Sequence, residues 1–303
     1  MTRARAPGKV VISGAYAVLA GAPAIVSAVS RYVTADTQRP ADFVTDEVQA
    51  ALTGAERAPW FDASELRADG RKLGLGSSAA ILVASLFALE QEREPGLPAE
   101  QRLLRVLELA QAAHRKAQGG GSGVDVAAST RGGTLVYQLG PRGASYRAVR
   151  LPAGVSLEIW TCPTSASTRE LLAAVAEMAR RSPEVYASAM GAQVLAAHDA
   201  ALALQRQAAG AFIRALRAQG HALSRLGQAA GVPIVTPELA ELAPLAEAEE
   251  QSGALLPAGA GGGDIALFVG RAASTPGLRA ALEKRGHRLL PAELSAPGVR
   301  VEP

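Results

Sequence analysis

The sequence predicts an α+β protein of two domains, and three observations carry that expectation. A chain of 303 residues, 49% hydrophobic and 19% charged, can bury substantial cores and is long enough for one large domain or two ordinary ones. Its opening reads as strands separated by turns, whereas beyond about residue 165 it reads mostly as helix. Glycine-rich loops stand directly before apolar or small-residue stretches in both parts. These features place an expected division into 1–155 and 156–303.

Taken in order, Val10 to Ser13 and Ala24 to Val33 have strand composition, with Gly14 and Gly21–Ala22–Pro23 as turn punctuation. From Ala79 to Arg93 and from Glu100 to Gln118 apolar residues recur at helical spacing, with Leu103, Leu104, Leu107 and Ala110 on one face. Thr134 to Gln138 and Ser156 to Thr161 return to strand composition. Helices are expected over Arg169 to Arg180, Tyr186 to Gln207, Gly210 to Gly220 and Pro237 to Ser252. Late strands are expected only at Ala266 to Val269 and Arg288 to Leu290.

Composition excludes several classes of function. Net charge is +3, and the basic residues are scattered instead of forming the clustered face that nucleic acid requires, so no nucleic-acid partner is expected. Trp60, Trp160 and the few other aromatics form no stacking array. Cys162 is the single cysteine, which excludes an intrachain disulfide and a thiolate metal cluster and fits a cytoplasmic setting. The stretch Val10 to Val29 resembles a signal peptide only superficially, because Pro7, Gly8 and Lys9 interrupt its approach and Gly14, Gly21 and Pro23 break it. No uninterrupted apolar run is long enough to span a bilayer, so no membrane partner is expected. Of the four histidines, none has metal-ligand spacing, and His198, His221 and His287 read as surface or interface residues.

Three glycine-rich loops are the candidate sites. The segment Lys72 to Ala80 reads K-L-G-L-G-S-S-A-A and runs straight into an apolar helix. Unblocked N–H groups and the positive end of the helix dipole suit a phosphate, and the glycines let the backbone approach closely. Ser77 or Ser78 is expected to cap the helix, and a hydroxyl there can reach magnesium. An ordinary turn before a capped helix gives the same pattern, and the spacing is not that of a Walker A loop. The second loop, Gly119 to Asp125, reads G-G-G-S-G-V-D and presents a carboxylate that could accept a proton, order a cation or merely cap a helix. The third, Gly259 to Asp264, reads G-A-G-G-G-D before an apolar stretch, which signals close backbone approach to a ligand or to another segment. Lys9, in A-P-G-K-V, stands where a loop meets the first strand.

Together, in order and spacing, these segments resemble the signature motifs of the GHMP kinases. Ala6–Pro7–Gly8–Lys9–Val10 with Ser13 to Leu19 resembles the first motif, Gly74–Leu75–Gly76–Ser77–Ser78–Ala79–Ala80 the second, and Gly259 to Asp264 the third. Ser122–Gly123–Val124–Asp125 falls where mevalonate and phosphomevalonate kinases carry an active-site aspartate. Trp160 to Thr168 and the run Ala117–Gln118–Gly119 to Gly123, preceded by His114, are most similar to the phosphomevalonate kinases. A helix N-cap is the alternative reading of Ser165 to Thr168. The chain departs from the pattern at Leu256–Pro257–Ala258, where relatives commonly carry a lysine and a serine, and it lacks a glutamate that mevalonate kinases place near the histidine.

The resemblance implies a two-domain GHMP kinase fold, with an N-terminal domain like ribosomal protein S5 domain 2 and a ferredoxin-like C-terminal domain. It implies ATP and magnesium and a small-molecule acceptor; a homodimer is compatible with the sequence, which does not give the oligomeric state. The expected reaction is phosphorylation of 5-phosphomevalonate to 5-diphosphomevalonate in the mevalonate route to isoprenoids. The alternatives are mevalonate kinase or another GHMP kinase acting on a small alcohol, and a non-catalytic ligand-binding protein. On this reading Lys9 and Asp125 are catalytic, and Gly74, Leu75, Gly76, Ser77, Ser78 and Ala79 bind ATP, with Ser78 on the metal. Lys9, Ser122, Gly123, Asp125, Ser165, Ser167, Thr168, Arg169, Gly261 and Gly262 bind the acceptor, with Lys72 and Arg131 as further phosphate partners.

Overall fold

A computed structural model of the chain describes residues 2–53, 56–68, 70–141, 143–165, 167–248 and 252–302. In chain order the first elements are β1 (Arg3–Ser13), β2 (Ala24–Pro40), α1 (Asp46–Ala51), β3 (Pro59–Asp62), β4 (Arg67–Ala68) and β5 (Arg71–Lys72). Next come α2 (Ser77–Arg93), α3 (Ala99–Gln118), α4 (Val124–Arg131), β6 (Thr134–Gly140), β7 (Gly143–Val149) and β8 (Ser156–Thr161). The rest is α5 (Thr168–Arg181), α6 (Pro183–Gln205), α7 (Ala209–Ala230), α8 (Pro237–Glu247), β9 (Ala254–Pro257), β10 (Ile265–Gly270), α9 (Pro276–Lys284), β11 (Arg288–Leu289) and β12 (Arg300–Val301). The residues cluster into two compact units that interleave in sequence, so their division is not a single cut along the chain. One comprises Met1–Val10, Val26–Leu135 and Ala292–Pro303, and the other Val11–Ile25 and Val136–Pro291.

In the first unit the strands run in the order β12, β1, β2, β6, with β3 also on β2. Strand β12 pairs antiparallel with β1 through Ala4↔Val301 and Arg5↔Arg300, which carries the end of the chain back to its beginning. Helix α2 is apolar all round and is buried from Ala79 to Ala88, as a helix without a polar face must be. Helix α3 is amphipathic and buries Val106, Leu107, Ala110, Ala113 and His114 on one stripe. The buried Ser27 and Thr134 hydroxyls lie 2.9 Å apart, and Ser27 Oγ also accepts the Ser295 N–H at 2.9 Å, so these two hydroxyls are satisfied inside the core.

In the second unit a four-stranded antiparallel sheet has the order β11-β8-β10-β9, with Leu267 opposite Ile159 on one side and Leu256 on the other. Trp160 and Phe268 pack with Leu239, Leu242, Leu278 and Leu282, which joins the sheet to α8 and α9. Helix α7 runs on through Gly220, where the sequence suggests a stop. A Cβ at Gly220 would lie 3.3 Å from Leu256 Cβ, so this glycine lets α7 press against β9. Helix α8 ends at Glu247, short of the expected Ser252, and residues 249–251 of that expectation lie outside the described residues. Strands β9 and β12 add to the two late strands expected. His287 is fully buried, which corrects its reading as a surface residue, whereas His198 and His221 are exposed.

Candidate functional site

The first unit gathers Lys9, the Gly74–Ala79 loop and the Ser122–Asp125 loop. Lys9 is held at its backbone, where its N–H donates to Leu75 O at 2.8 Å. This bond ties β1 to the loop, whose Leu75 side chain is only 1% exposed. The N-cap of α2 is Gly76 itself, in the left-handed region at φ 76°, and no side chain caps the helix. The expectation that Ser77 or Ser78 caps it is therefore corrected: both lie inside the first turn. A left-handed cap leaves the first N–H groups of α2 without a side-chain acceptor, which is the arrangement that receives an anion.

The second loop ends α3 and starts α4. Gly119 closes α3 at φ 70°, and Gly123 caps α4 at φ 71°, so glycines supply both left-handed corners that a β-carbon would strain. Asp125 then falls in the first turn of α4 instead of at its cap. Its Oδ1 accepts the Val126 N–H at 3.0 Å, and its Oδ2 lies 3.5 Å from His114 Nε2 of α3. Ser122 Oγ accepts the Val124 N–H at 3.4 Å.

Charge decides the state of this pair. Burial works against ionised Asp125, but the His114 hydrogen bond, the His114 charge and the Lys9 charge outweigh it and hold the carboxyl at about 2. Burial pushes His114 down, yet the hydrogen bond and charge of Asp125 and the charge of Glu47 raise it above its ordinary value. Glu47, on α1, is itself buried and accepts Gln118 Nε2 at 2.7 Å. The pair is thus an ionised Asp125 carboxylate against the buried His114, beside a lysine, and each partner favours the charged form of the other. His114 and Gln118 lie on α3 and Glu47 on α1, so the sequence does not show them as a group.

The second unit holds the remaining candidates. Ser167 caps α5, its Oγ accepting the Glu170 N–H at 3.4 Å, and Thr168 and Arg169 begin that helix. Ser165, Ser167, Thr168 and Arg169 are all exposed, and Ala166 of this segment lies outside the described residues. The third loop is pressed onto backbone. A Cβ on Gly261 would fall 2.1 Å from Ile234 O, and one on Gly263 would fall 2.5 Å from Thr164 O. Gly262 N–H donates to Ile234 O at 2.9 Å, Asp264 N–H to Thr164 O at 3.0 Å, and the Tyr16 hydroxyl to Ala260 O at 2.8 Å. Burial raises the Tyr16 phenol far above its ordinary value, so it stays a donor. Cys162 is likewise pushed up to about 12, by burial and then by the charges of Asp264 and Glu238, which leaves an inert thiol. Of the further phosphate candidates, Arg131 pairs with Glu100 at 2.7 Å and Lys72 is exposed on β5.

Among the described residues no group of three or more His, Cys, Asp or Glu side chains can hold a metal ion. Magnesium needs no such cage, because it is usually held by one or two carboxylates together with substrate phosphates.

Residues 64–133 match the family model described as GHMP kinases N terminal domain. The α+β fold of the chain is that of the GHMP kinase structures. A phosphomevalonate kinase of Streptomyces sp. (strain CL190) is 31% identical over 227 residues, covering 68% of this chain and 59% of that protein. A mevalonate kinase of Archaeoglobus fulgidus is 29% identical over 199 residues, covering 60% of this chain and 66% of its own length. The match therefore spans about three fifths to two thirds of these relatives. The crystal structure of Streptococcus pneumoniae phosphomevalonate kinase in complex with phosphomevalonate and AMPPNP has a TM-score of 0.79 at 19% identity, covering 97% of this chain and 100% of the other. A Listeria innocua protein reaches 0.83 at 22% identity over 99% of each chain. Among the described residues no helix is long and apolar enough to cross a membrane.

Proposed function

We propose that this chain is an ATP- and magnesium-dependent kinase that phosphorylates 5-phosphomevalonate, as a step of the mevalonate route to isoprenoids. In this reaction the bond from the γ-phosphorus to the β–γ bridging oxygen breaks and a bond to an acceptor phosphate oxygen forms, giving ADP and 5-diphosphomevalonate. Similarity to the Streptomyces phosphomevalonate kinase carries the reading, and the Asp125–His114 contact at 3.5 Å is consistent with it. A carboxylate held at about 2 is a poor base for an alcohol, but a phosphate monoester, with its second pKa near ~6, is already ionised at neutral pH. Similarity to the Streptomyces enzyme supports the same acceptor.

On this reading the N–H groups of Gly74 to Ala79 cradle the triphosphate, and Ser78 is the protein's hydroxyl ligand to magnesium. When bound, the metal neutralises the phosphates. Lys9 neutralises the transferring phosphoryl or the acceptor oxygen, and Asp125 orders the metal or the acceptor. Ser122, Gly123, Ser165, Ser167, Thr168, Arg169, Gly261 and Gly262 are assigned to the acceptor. Catalysis is then positioning and charge neutralisation of a loose transition state. The first 155 residues are assigned mainly to the nucleotide, and the single cysteine fits a cytoplasmic enzyme.

The test is an ADP-release assay with ATP and magnesium, comparing 5-phosphomevalonate with mevalonate and weighing the products. Turnover of 5-phosphomevalonate alone is expected. Turnover of mevalonate would instead favour the second reading, an alcohol kinase, which similarity to the Archaeoglobus fulgidus enzyme keeps in view. Asp125→Asn separates them further: it retains part of the activity toward a phosphate acceptor and abolishes activity toward an alcohol.

A further inference from the structure

Several glycines of this chain are blocked by backbone. A Cβ on Gly8 would meet Leu75 O at 2.9 Å, as those on Gly261 and Gly263 would meet carbonyl oxygens. Backbone in a packed interior does not move aside without moving a whole segment. Gly76 differs in kind. The three atoms nearest its added Cβ all belong to the Lys9 side chain: Cε at 2.8 Å, Cγ at 3.1 Å and Cδ at 3.5 Å.

We propose that Gly76 is a positioning residue for Lys9, its bare α-carbon forming the floor along which the lysine stem runs. The base of that stem is already fixed, because Lys9 N–H is bonded to Leu75 O at 2.8 Å. Side-chain torsions set the rest of its course, and the stem passes close over residue 76 from Cγ to Cε. A β-carbon there crowds Cγ and Cε at once, so the stem must leave its path and the ammonium group ends elsewhere. Two functions thus share one glycine: the left-handed cap of α2 and the delivery of a cation toward Asp125. The cap asks only for a positive φ, which asparagine tolerates. Delivery of the lysine asks for the absence of a β-carbon, which asparagine cannot provide.

The turnover arm of the test rests on the kinase reading, and the labelling arm does not. Gly76→Ala and Gly76→Asn are each made in the native and the Lys9→Ala backgrounds, with thermal melting to confirm folding. Each is expected to lower kcat by about 10- to 100-fold in the native background, the cost of misplacing one charged group. In the Lys9→Ala background the further loss in kcat from each is expected to be about tenfold smaller than in the native background, because the residue it acts through is gone and only its share in the phosphate loop remains. An equal loss in both backgrounds would overturn the proposal and assign Gly76 to the phosphate loop alone. Independently, amine-reactive labelling read by mass spectrometry compares Lys9 with Lys72, Lys116 and Lys284, the other lysines of the chain. The relative labelling of Lys9 is expected to rise in Gly76→Asn, asparagine being the side chain that enters the left-handed region most readily. Unchanged labelling in a folded Gly76→Asn would overturn the proposal even if no acceptor is ever phosphorylated. A native protein without turnover, combined with raised Lys9 labelling, would remove the kinase reading and leave the positioning role standing.

Discussion

The loops Gly74–Gly76 and Gly259–Asp264 look alike in sequence, and the structure uses their glycines for opposite ends. In the first, Gly76 makes room for a side chain and opens a helix N-terminus. In the third, Gly261 and Gly263 close onto the carbonyl oxygens of Ile234 and Thr164. Glycine density reports close approach in both places, but it does not say what approaches. The atom that an added β-carbon would meet does say so: a side chain that carries charge in one loop, and structural backbone in the other.

The difference can be broken most severely at Gly261. With φ 80° and a Cβ at 2.1 Å from Ile234 O, Gly261→Ala combines left-handed strain with overpacking and should cost about 3 kcal/mol or more. Chemical denaturation reads that loss, and a variant as stable as the native protein would mean that the loop has room after all. Lys9→Ala sits at the other pole. It is expected to lower kcat by about 10²-fold, as removal of one positioned electrostatic donor does, with little change in melting temperature. Near-normal turnover would take Lys9 off the catalytic list and with it the contrast between the loops.

How much of this was legible follows the range of the interactions. The Gly74–Ser78 loop and the helix after it were readable because the glycines, the hydroxyls and the apolar run are neighbours in sequence. Lys9 could be placed beside them only through the resemblance, since the bond from Lys9 N–H to Leu75 O joins residues far apart in the chain. Gly220 read as a helix end because its reason for being glycine, the approach of Leu256, lies on another element. Strand β9 was missed for a similar reason: Gly253 stands just before it because Phe268 of β10 occupies the place of a side chain, 2.5 Å from where its Cβ would be. The expected serine cap of α2 failed because a left-handed glycine serves the same end of a helix. His114 stands shortly before the second loop in sequence, but its pairing with Asp125 needs α3 and α4 side by side.

That pairing gives the next test, smaller in size and distinct in its pH dependence. Asp125 is held below its unfolded pKa of ~3.9, so its contribution to stability is present above that value and lost as pH falls toward about 2. His114 is held above its unfolded value of ~6.5, so its contribution is complete below that pH and is lost as pH rises through its folded pKa. The melting-temperature difference between native protein and His114→Asn should therefore be largest between about pH 4 and 6.5 and should shrink above it. Lys9, Glu47 and Arg115 are the other charges acting on the couple and remain in both proteins. A difference that does not vary across this range would mean that the two side chains are neighbours without being an ion pair.

The smallest effect is expected at Ser167, in the segment that follows the backbone partner of the third loop. Its Oγ accepts the Glu170 N–H at 3.4 Å, so Ser167→Ala should lower stability by about 0.5–1 kcal/mol through loss of a long cap bond. The resemblance also places this serine at the acceptor, where its loss would raise KM for 5-phosphomevalonate and leave KM for ATP unchanged. Ser167→Asn separates the roles, because asparagine caps a helix as well as serine does but differs from it in size and shape. Restored stability with a raised acceptor KM would put Ser167 against the ligand. Restored stability with native KM would make the hydroxyl a cap alone and place the segment, like the loop it adjoins, on the side of packing instead of binding.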